Sequence, residues 1–125
     1  MSPRRRDASE SEQFMHYPGS AVVVSLLADK WTIPVIHSLA RGTKRTGELR
    51  RALPGVSQKM LTQTLRTLEE RGIVERRVYA VVPPRVDYRL TTIGESLNVP
   101  LQGLCDWLAD HGKVLERQGS GRASA

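Results

Sequence analysis

The stretch Thr46–Gly72, TGELRRALPGVSQKMLTQTLRTLEERG, constrains the fold more than any other part of the chain. It holds two runs of helical periodicity separated by an interruption that neither helix can absorb. Leu49 and Leu53 mark the inward side of the first run, and Leu61, Leu65 and Leu68 mark that of the second. Between them, Leu53-Pro54-Gly55-Val56 breaks the pattern, because Pro54 has no backbone donor and Gly55 tolerates positive φ. Ser57 then suits an N-cap, with Val56 and Leu61 at the two positions of a hydrophobic staple. Turning the leucines inward leaves Ser57, Gln58, Lys59, Thr62, Gln63 and Arg66 outside, on a face without an acid before Glu69. A short helix, a sharp turn and a longer helix with a polar outer face predict a helix-turn-helix.

Upstream, residues 1–18 read as a flexible basic tail that includes Arg4-Arg5-Arg6. Gly19–Ala28 is compact and apolar and suits a buried helix capped at Ser20. Asp29 ends that run and can cap a following helix, Trp31–Ala40, with Trp31, Val35, Ile36 and Leu39 on one face. Pro34 requires that this helix start close to Lys30, and Arg41-Gly42 stops it. Lys44-Arg45 is either a very short strand or a lead-in to the helix-turn-helix.

Downstream the period changes from helical to alternating. Ile73–Val82 and Arg85–Thr91 predict two antiparallel strands, joined at Pro83-Pro84, where ladder donors are missing. A hairpin directly after a reading-type helix is a wing. Thr92-Ile93-Gly94-Glu95 matches a capping box, opening a last helix with Ile93, Leu97, Leu101, Leu104 and Leu108 at helical spacing. Pro100 should kink or split it. Cys105 and Trp107 lie partly off the stripe, so the apolar surface is wider than one seam. Leu97, Leu101, Leu104, Cys105, Trp107 and Leu108 are therefore expected to join two copies of the chain. The predicted class is α+β, mainly α: a winged helix-turn-helix with terminal dimerisation helices. Its folded domain should span 19–112, with 113–125 as a helix end and flexible tail.

Composition matters chiefly through where the charge sits. The formal net charge is +6, and residues 44–77 hold nine Lys or Arg against four Asp or Glu, whereas 92–125 hold three against four. The excess sits on the helix-turn-helix and the start of the predicted hairpin, the footprint a polyanion would need. A merely solvated basic surface is the alternative. A single cysteine excludes an internal disulfide framework and, with no leader pattern or membrane-length apolar run, suits the cytoplasm.

With these elements in order, the sequence resembles the HxlR-type winged-helix transcription regulators of bacteria, relatives of the MarR group. The resemblance runs from about Tyr17 to His111. It rests on Asp29-Lys30-Trp31, Gly47-Glu48-Leu49-Arg50, the run Leu53–Tyr79 (LPGVSQKMLTQTLRTLEERGIVERRVY), Val82–Thr91 (VPPRVDYRLT) and Gly94. It implies a homodimer, joined through terminal helices, that binds operator DNA. Many members sense oxidants or electrophiles through a cysteine immediately before a proline near the N-terminus. Here Tyr17 precedes Pro18, so the resemblance does not extend to that trigger.

On this reading double-stranded DNA is the main partner, and a palindromic operator bound by a homodimeric repressor is the expected target. Gln58 and Gln63 suit adenine, and Lys59 or Arg66 suits guanine. Ser57 is either a contact or simply the cap of its own helix. Arg45, Arg50, Arg51 and Arg77 are placed for phosphates, and Arg85 at the wing tip for the minor groove or for solvent. His16, His37 and His111 lack ligand-spaced partners, so no metal, cofactor or catalytic group is expected. Cys105 is a packing residue or, less simply, a redox one. Trp31 and Trp107 anchor core and interface, or line a pocket for an unidentified small-molecule effector. A small-molecule or protein-interaction module, with the winged helix as dimer scaffold, is the rival function.

Overall fold

The computed structural model describes residues 10–123, with side chains described from 12 to 118. The elements run α1 (Glu10–His16), α2 (Ser20–Ala28), α3 (Thr32–Leu39), β1 (Lys44–Arg45), α4 (Thr46–Ala52), α5 (Gln58–Glu70), β2 (Val74–Tyr79), β3 (Arg85–Leu90) and α6 (Thr92–Ala123). The strands form one antiparallel sheet in the order β1-β3-β2. β2 and β3 make the wing, with Val74 opposite Leu90 and Tyr79 opposite Arg85, while Lys44 pairs with Tyr88. This is the predicted winged helix-turn-helix, with a third short strand closing the sheet.

Its core forms where the inward faces of α3, α4 and α5 meet the sheet and α6. Val35, Ile36, Leu49, Leu61 and Leu68 are fully buried, and Leu53, Val56, Leu65, Val74, Leu90 and Leu101 are nearly so. Each such aliphatic side chain contributes about 1.5–3 kcal/mol through removal from water. The leucines that identified the motif are thus the ones that hold it. Ser57 is the N-cap of α5, its Oγ accepting from the Met60 amide at 3.0 Å. Gly55, in the turn before it, has φ 93°, a conformation open to glycine.

Several expectations need correcting. Ser20 does not cap α2; Gly19 takes the N-cap with φ 87°, and the Ser20 hydroxyl donates to the Met15 carbonyl at 3.2 Å. The cap of α6 lies one residue earlier than expected, since the Gly94 amide donates to Thr91 Oγ1 at 3.1 Å and the Glu95 amide to the Thr91 carbonyl at 2.8 Å. Thr91 and Thr92 are adjacent, and Thr91 is the one held in place, by donating to the Gly72 carbonyl. Pro100 neither splits nor ends the last helix: α6 runs through it for 32 residues. A proline removes one donor, and buried Leu101 with half-buried Leu97 fastens both sides of it to the core. Helix also takes up part of the expected N-terminal tail, as α1 within 1–18, and the expected helix end after residue 113 continues as α6 to Ala123. Arg4-Arg5-Arg6 lies outside the described residues.

Trp31 packs inward as the sequence predicts, but Asp29 does not cap α3: Trp31 itself holds the N-cap position, without a side-chain cap bond. The Trp31 amide donates to Asp29 Oδ1 at 2.8 Å, and the indole packs on the core. Pro34 sits in the first turn of α3. Among the described residues, no single helix is long and apolar enough to cross a membrane.

Candidate nucleic-acid interface

Burial of Leu61, Thr64, Leu65 and Leu68 leaves the opposite side of α5 wholly outside. Ser57, Gln58, Lys59, Thr62, Gln63 and Arg66 are all exposed there, as the periodicity predicts. Gln58 Nε2 donates to Thr62 Oγ1 at 3.1 Å, one turn on. No hydrogen bond or ion pair to the rest of the described chain engages Lys59, Gln63 or Arg66. A polar row with no internal partner leaves its donors available to an outside one. The Ser57 hydroxyl differs in that it already accepts from the Met60 amide, with its own O–H left to donate. Exposed Met60 adds an apolar patch to this face that the sequence did not suggest.

The arginines beside the wing fall into two groups. Arg50 and Arg51 are exposed in the last turn of α4 and unpaired among the described residues. Arg45, also exposed, lies 3.9 Å from Asp87 and donates its backbone amide to Glu48 at 2.8 Å. Arg85 is not at the wing tip but opens β3, and its guanidinium is spent inside the hairpin. It grips Asp87 with two hydrogen bonds, of 3.2 and 3.1 Å, and lies over the Tyr79 ring at 4.8 Å. Arg77 also approaches that ring, 5.4 Å from the Tyr79 centroid. The tip itself is apolar, with Val82 99% exposed and Pro83 next to it.

Asp87, only 5% exposed, is an acid of this site that the sequence did not single out. The hydrogen bonds from Arg85, then the charges of Arg85 and Arg45, hold its carboxyl below the usual range against the opposing effect of burial. The same pairing raises Arg85 above its ordinary value. Alternation along the strand signals it, since Arg85 and Asp87 are two residues apart on one face. Elsewhere on the wing, Arg76 pairs with Glu69 at 3.5 Å and Arg89 with Glu75 at 2.8 Å. Burial raises Tyr88 above the usual phenol value, Arg76 pulling the other way.

Two open clefts flank this surface. One, of about 540 Å³, is lined by Lys44, Arg45, Gly47, Arg51, Arg85 and Asp87. The other, of about 300 Å³, lies between α5 and the wing and is lined by Thr62, Arg66, Glu69, Arg76 and Tyr88. Neither includes Trp31 or Trp107. No group of His, Cys, Asp and Glu suited to a metal occurs among the described residues.

The expected dimer residues divide as well. Leu101 is 7% exposed and Leu97 packs on the core, so both serve the chain's own interior. Leu104, Trp107 and Leu108 are 43%, 46% and 44% exposed, and Val114 and Leu115 continue the stripe. Cys105 is half-buried beside it. Trp107 stacks on His111 at 4.9 Å. Phe14, Met15, Tyr17, Val24 and Leu27 form a second exposed apolar group on α1, α2 and the turn between them.

The HxlR-like helix-turn-helix family matches residues 26–116, which include the whole of the helix-turn-helix, the wing and most of α6. The chain belongs to that family. Its relatives include the HTH-type transcriptional regulator YkvN of Bacillus subtilis (strain 168), 48% identical over 89 residues that make up 71% of this chain and 75% of YkvN. The reduced form of the redox regulator HypR superimposes with a TM-score of 0.73 at 37% identity, covering 78% of this chain and 96% of HypR. The reduced form of the transcriptional regulator YodB from B. subtilis does so with a TM-score of 0.66 at 38% identity, over 75% and 92% of the two chains. HxlR-family membership makes this a transcriptional regulator of the winged helix-turn-helix type.

Proposed function

We propose that the chain represses transcription as a homodimer, each copy laying α5 in a major groove of a palindromic operator. The observation that carries this reading is the outer row of α5, whose Lys59, Gln63 and Arg66 have no partner within the described chain. Gln58 and Gln63 suit adenine, and Lys59 and Arg66 suit guanine O6 and N7. Arg45, Arg50, Arg51 and Arg77 supply phosphate contacts that position without reading sequence. Arg85 is withdrawn from this set, because its guanidinium is committed to Asp87.

In the exposed stripe, Trp107 and Leu108 stand three and four residues after Leu104, and Val114 and Leu115 repeat them seven residues on, the spacing of a helix that seats against another helix. It is the surface we assign to the second copy, together with the apolar group on α1 and α2. Two reading helices related by a twofold axis then meet successive major grooves about 34–36 Å apart. This is a binding role that needs no cofactor and no catalytic group.

Selection of bound fragments from a mixture of random and genomic duplexes tests the reading. Enrichment of a palindrome supports it; a retained pool with no common sequence sinks it. Binding should also fall with salt at a log–log slope of about −0.9 per phosphate neutralised.

A further inference from the structure

The Asp29 carboxylate joins two parts of the chain that are 35 residues apart. Its Oδ1 accepts from the Trp31 amide at 2.8 Å, which fixes the carboxylate at the corner between α2 and α3. Its Oδ2 accepts from Thr64 Oγ1 at 2.9 Å, in the middle of α5. Thr64 is 2% exposed, so its hydroxyl needs a partner. A helical threonine ordinarily finds one in the carbonyl three or four residues back along its own helix. Here the hydroxyl turns outward to Asp29 instead.

The same corner touches the helix-turn-helix at a second point. The far edge of the Trp31 indole lies beside Gly55, where a Cβ on that glycine would sit 3.9 Å from it. The corner therefore holds α5 by a charge-assisted hydrogen bond and the turn before it by an aromatic edge. It is also continuous with α2, which carries exposed Val24 and Leu27 and packs on α1.

We propose that Asp29 is a positioning residue for the reading helix. Through Thr64 it fixes the rotation and height of α5 against the α2–α3 corner, so the outer row is presented in one register. This rests on the DNA-reading assignment above for its consequence, but its geometry does not. Asp29 itself is exposed, so its carboxylate can hydrate when Thr64 is changed, and the fold should survive.

The test compares Thr64→Val, which keeps shape and removes the hydroxyl, with Thr64→Ser, which keeps the hydroxyl. Affinity is read on the enriched palindrome and on a random duplex, beside melting temperature. Thr64→Val should lose about tenfold on the palindrome, the scale of one hydrogen bond to a charged group. Binding to random duplex should stay near wild type, melting temperature should fall modestly with the lost internal hydrogen bond, and Thr64→Ser should restore both melting temperature and the palindrome. Equal losses on both duplexes, or none on the palindrome, overturn the proposal. Hydrogen exchange without DNA gives an independent arm. Thr64→Val should speed exchange of α5 amides relative to those of α6, with Thr64→Ser close to wild type; unchanged α5 exchange overturns the proposal. If wild-type protein enriches no palindrome, the regulator reading fails and the exchange arm alone decides the role of Asp29.

Discussion

On α5, Lys59, Gln63 and Arg66 point away from the fold and bond nothing else in the described chain, whereas on the wing Arg76, Arg85 and Arg89 each hold an acid. Both regions contribute to the positive excess of residues 44–77 and just beyond, and a count of charges treats them alike. Chemically they differ. A cation with no internal partner gives up only its hydration when it meets a phosphate or a base edge. A cation already engaged must also break an existing hydrogen bond, two in the case of Arg85. The outer row of α5 thus has groups left for new contacts, whereas Arg76, Arg85 and Arg89 keep the wing in its own shape. The apolar tip around Val82 fits the same division.

The comparison can be broken at four points, beginning with the platform beneath the reading face. Leu65→Ala should destabilise the fold by about 2–5 kcal/mol in denaturant titration, since the emptied space lies between α5 and the core. A loss far below that would mean that α5 is held by something other than its leucine side. Next, Lys59→Ala and Arg66→Ala should each cost about 1–3 kcal/mol on the enriched palindrome, by fluorescence anisotropy, and less on random duplex. Equal losses on both duplexes would turn those residues into phosphate contacts.

The Arg85–Asp87 pair of the wing should respond to acid rather than to DNA. The folded carboxyl of Asp87 is held below its unfolded value, so its stabilisation is complete above the ordinary carboxylate range. It is lost as pH falls through the lowered value. Arg85→Ala should therefore lower the melting temperature at neutral pH, with the gap to wild type closing in acid, and leave DNA affinity close to wild type. Weakening of DNA binding as large as that of Lys59→Ala would erase the distinction between the two regions. The smallest effect belongs to Glu75 and Arg89, which face each other across the hairpin and are both exposed at their tips. Glu75→Gln should change stability by about 0–1 kcal/mol, and less still in high salt.

The helix-turn-helix was legible because its signals are local. Leucine spacing gives each helix its buried side, and Pro54-Gly55 leaves one place for the turn. The hairpin was legible for the same reason, through alternation and Pro83-Pro84. Where the sequence misled, the deciding partner lay elsewhere in the chain. Thr64 falls among Leu61, Leu65 and Leu68, so periodicity places it inward, but nothing nearby says that its hydroxyl meets Asp29. Arg85 resembles a free tip residue because the register putting it against Tyr79 appears only once the hairpin is paired, although its alternation with Asp87 on one strand face was there to be read. Pro100 does not split the helix, one of the two outcomes expected of it, and Leu101 shows that an apolar stripe does not declare whether it faces its own core or another subunit. The assignment of individual residues to bases and phosphates rests on exposure and chemistry, and the Lys59 and Arg66 variants are its measure.

The Thr91 hydroxyl sits where α5, the wing and the terminal helix come together. It donates to the Gly72 carbonyl at the exit of α5 and accepts from the Gly94 amide at the entry of α6, while the Thr91 amide pairs with Ile73. Three segments thus converge on a single residue with no spacer between them. A joint of this kind ties the entry of α6 to both the strand end and the exit of α5. Mechanically, the long terminal helix and α5 are two arms that meet at this corner, and the packing of Leu97 and Leu101 on the core braces the longer arm beyond it.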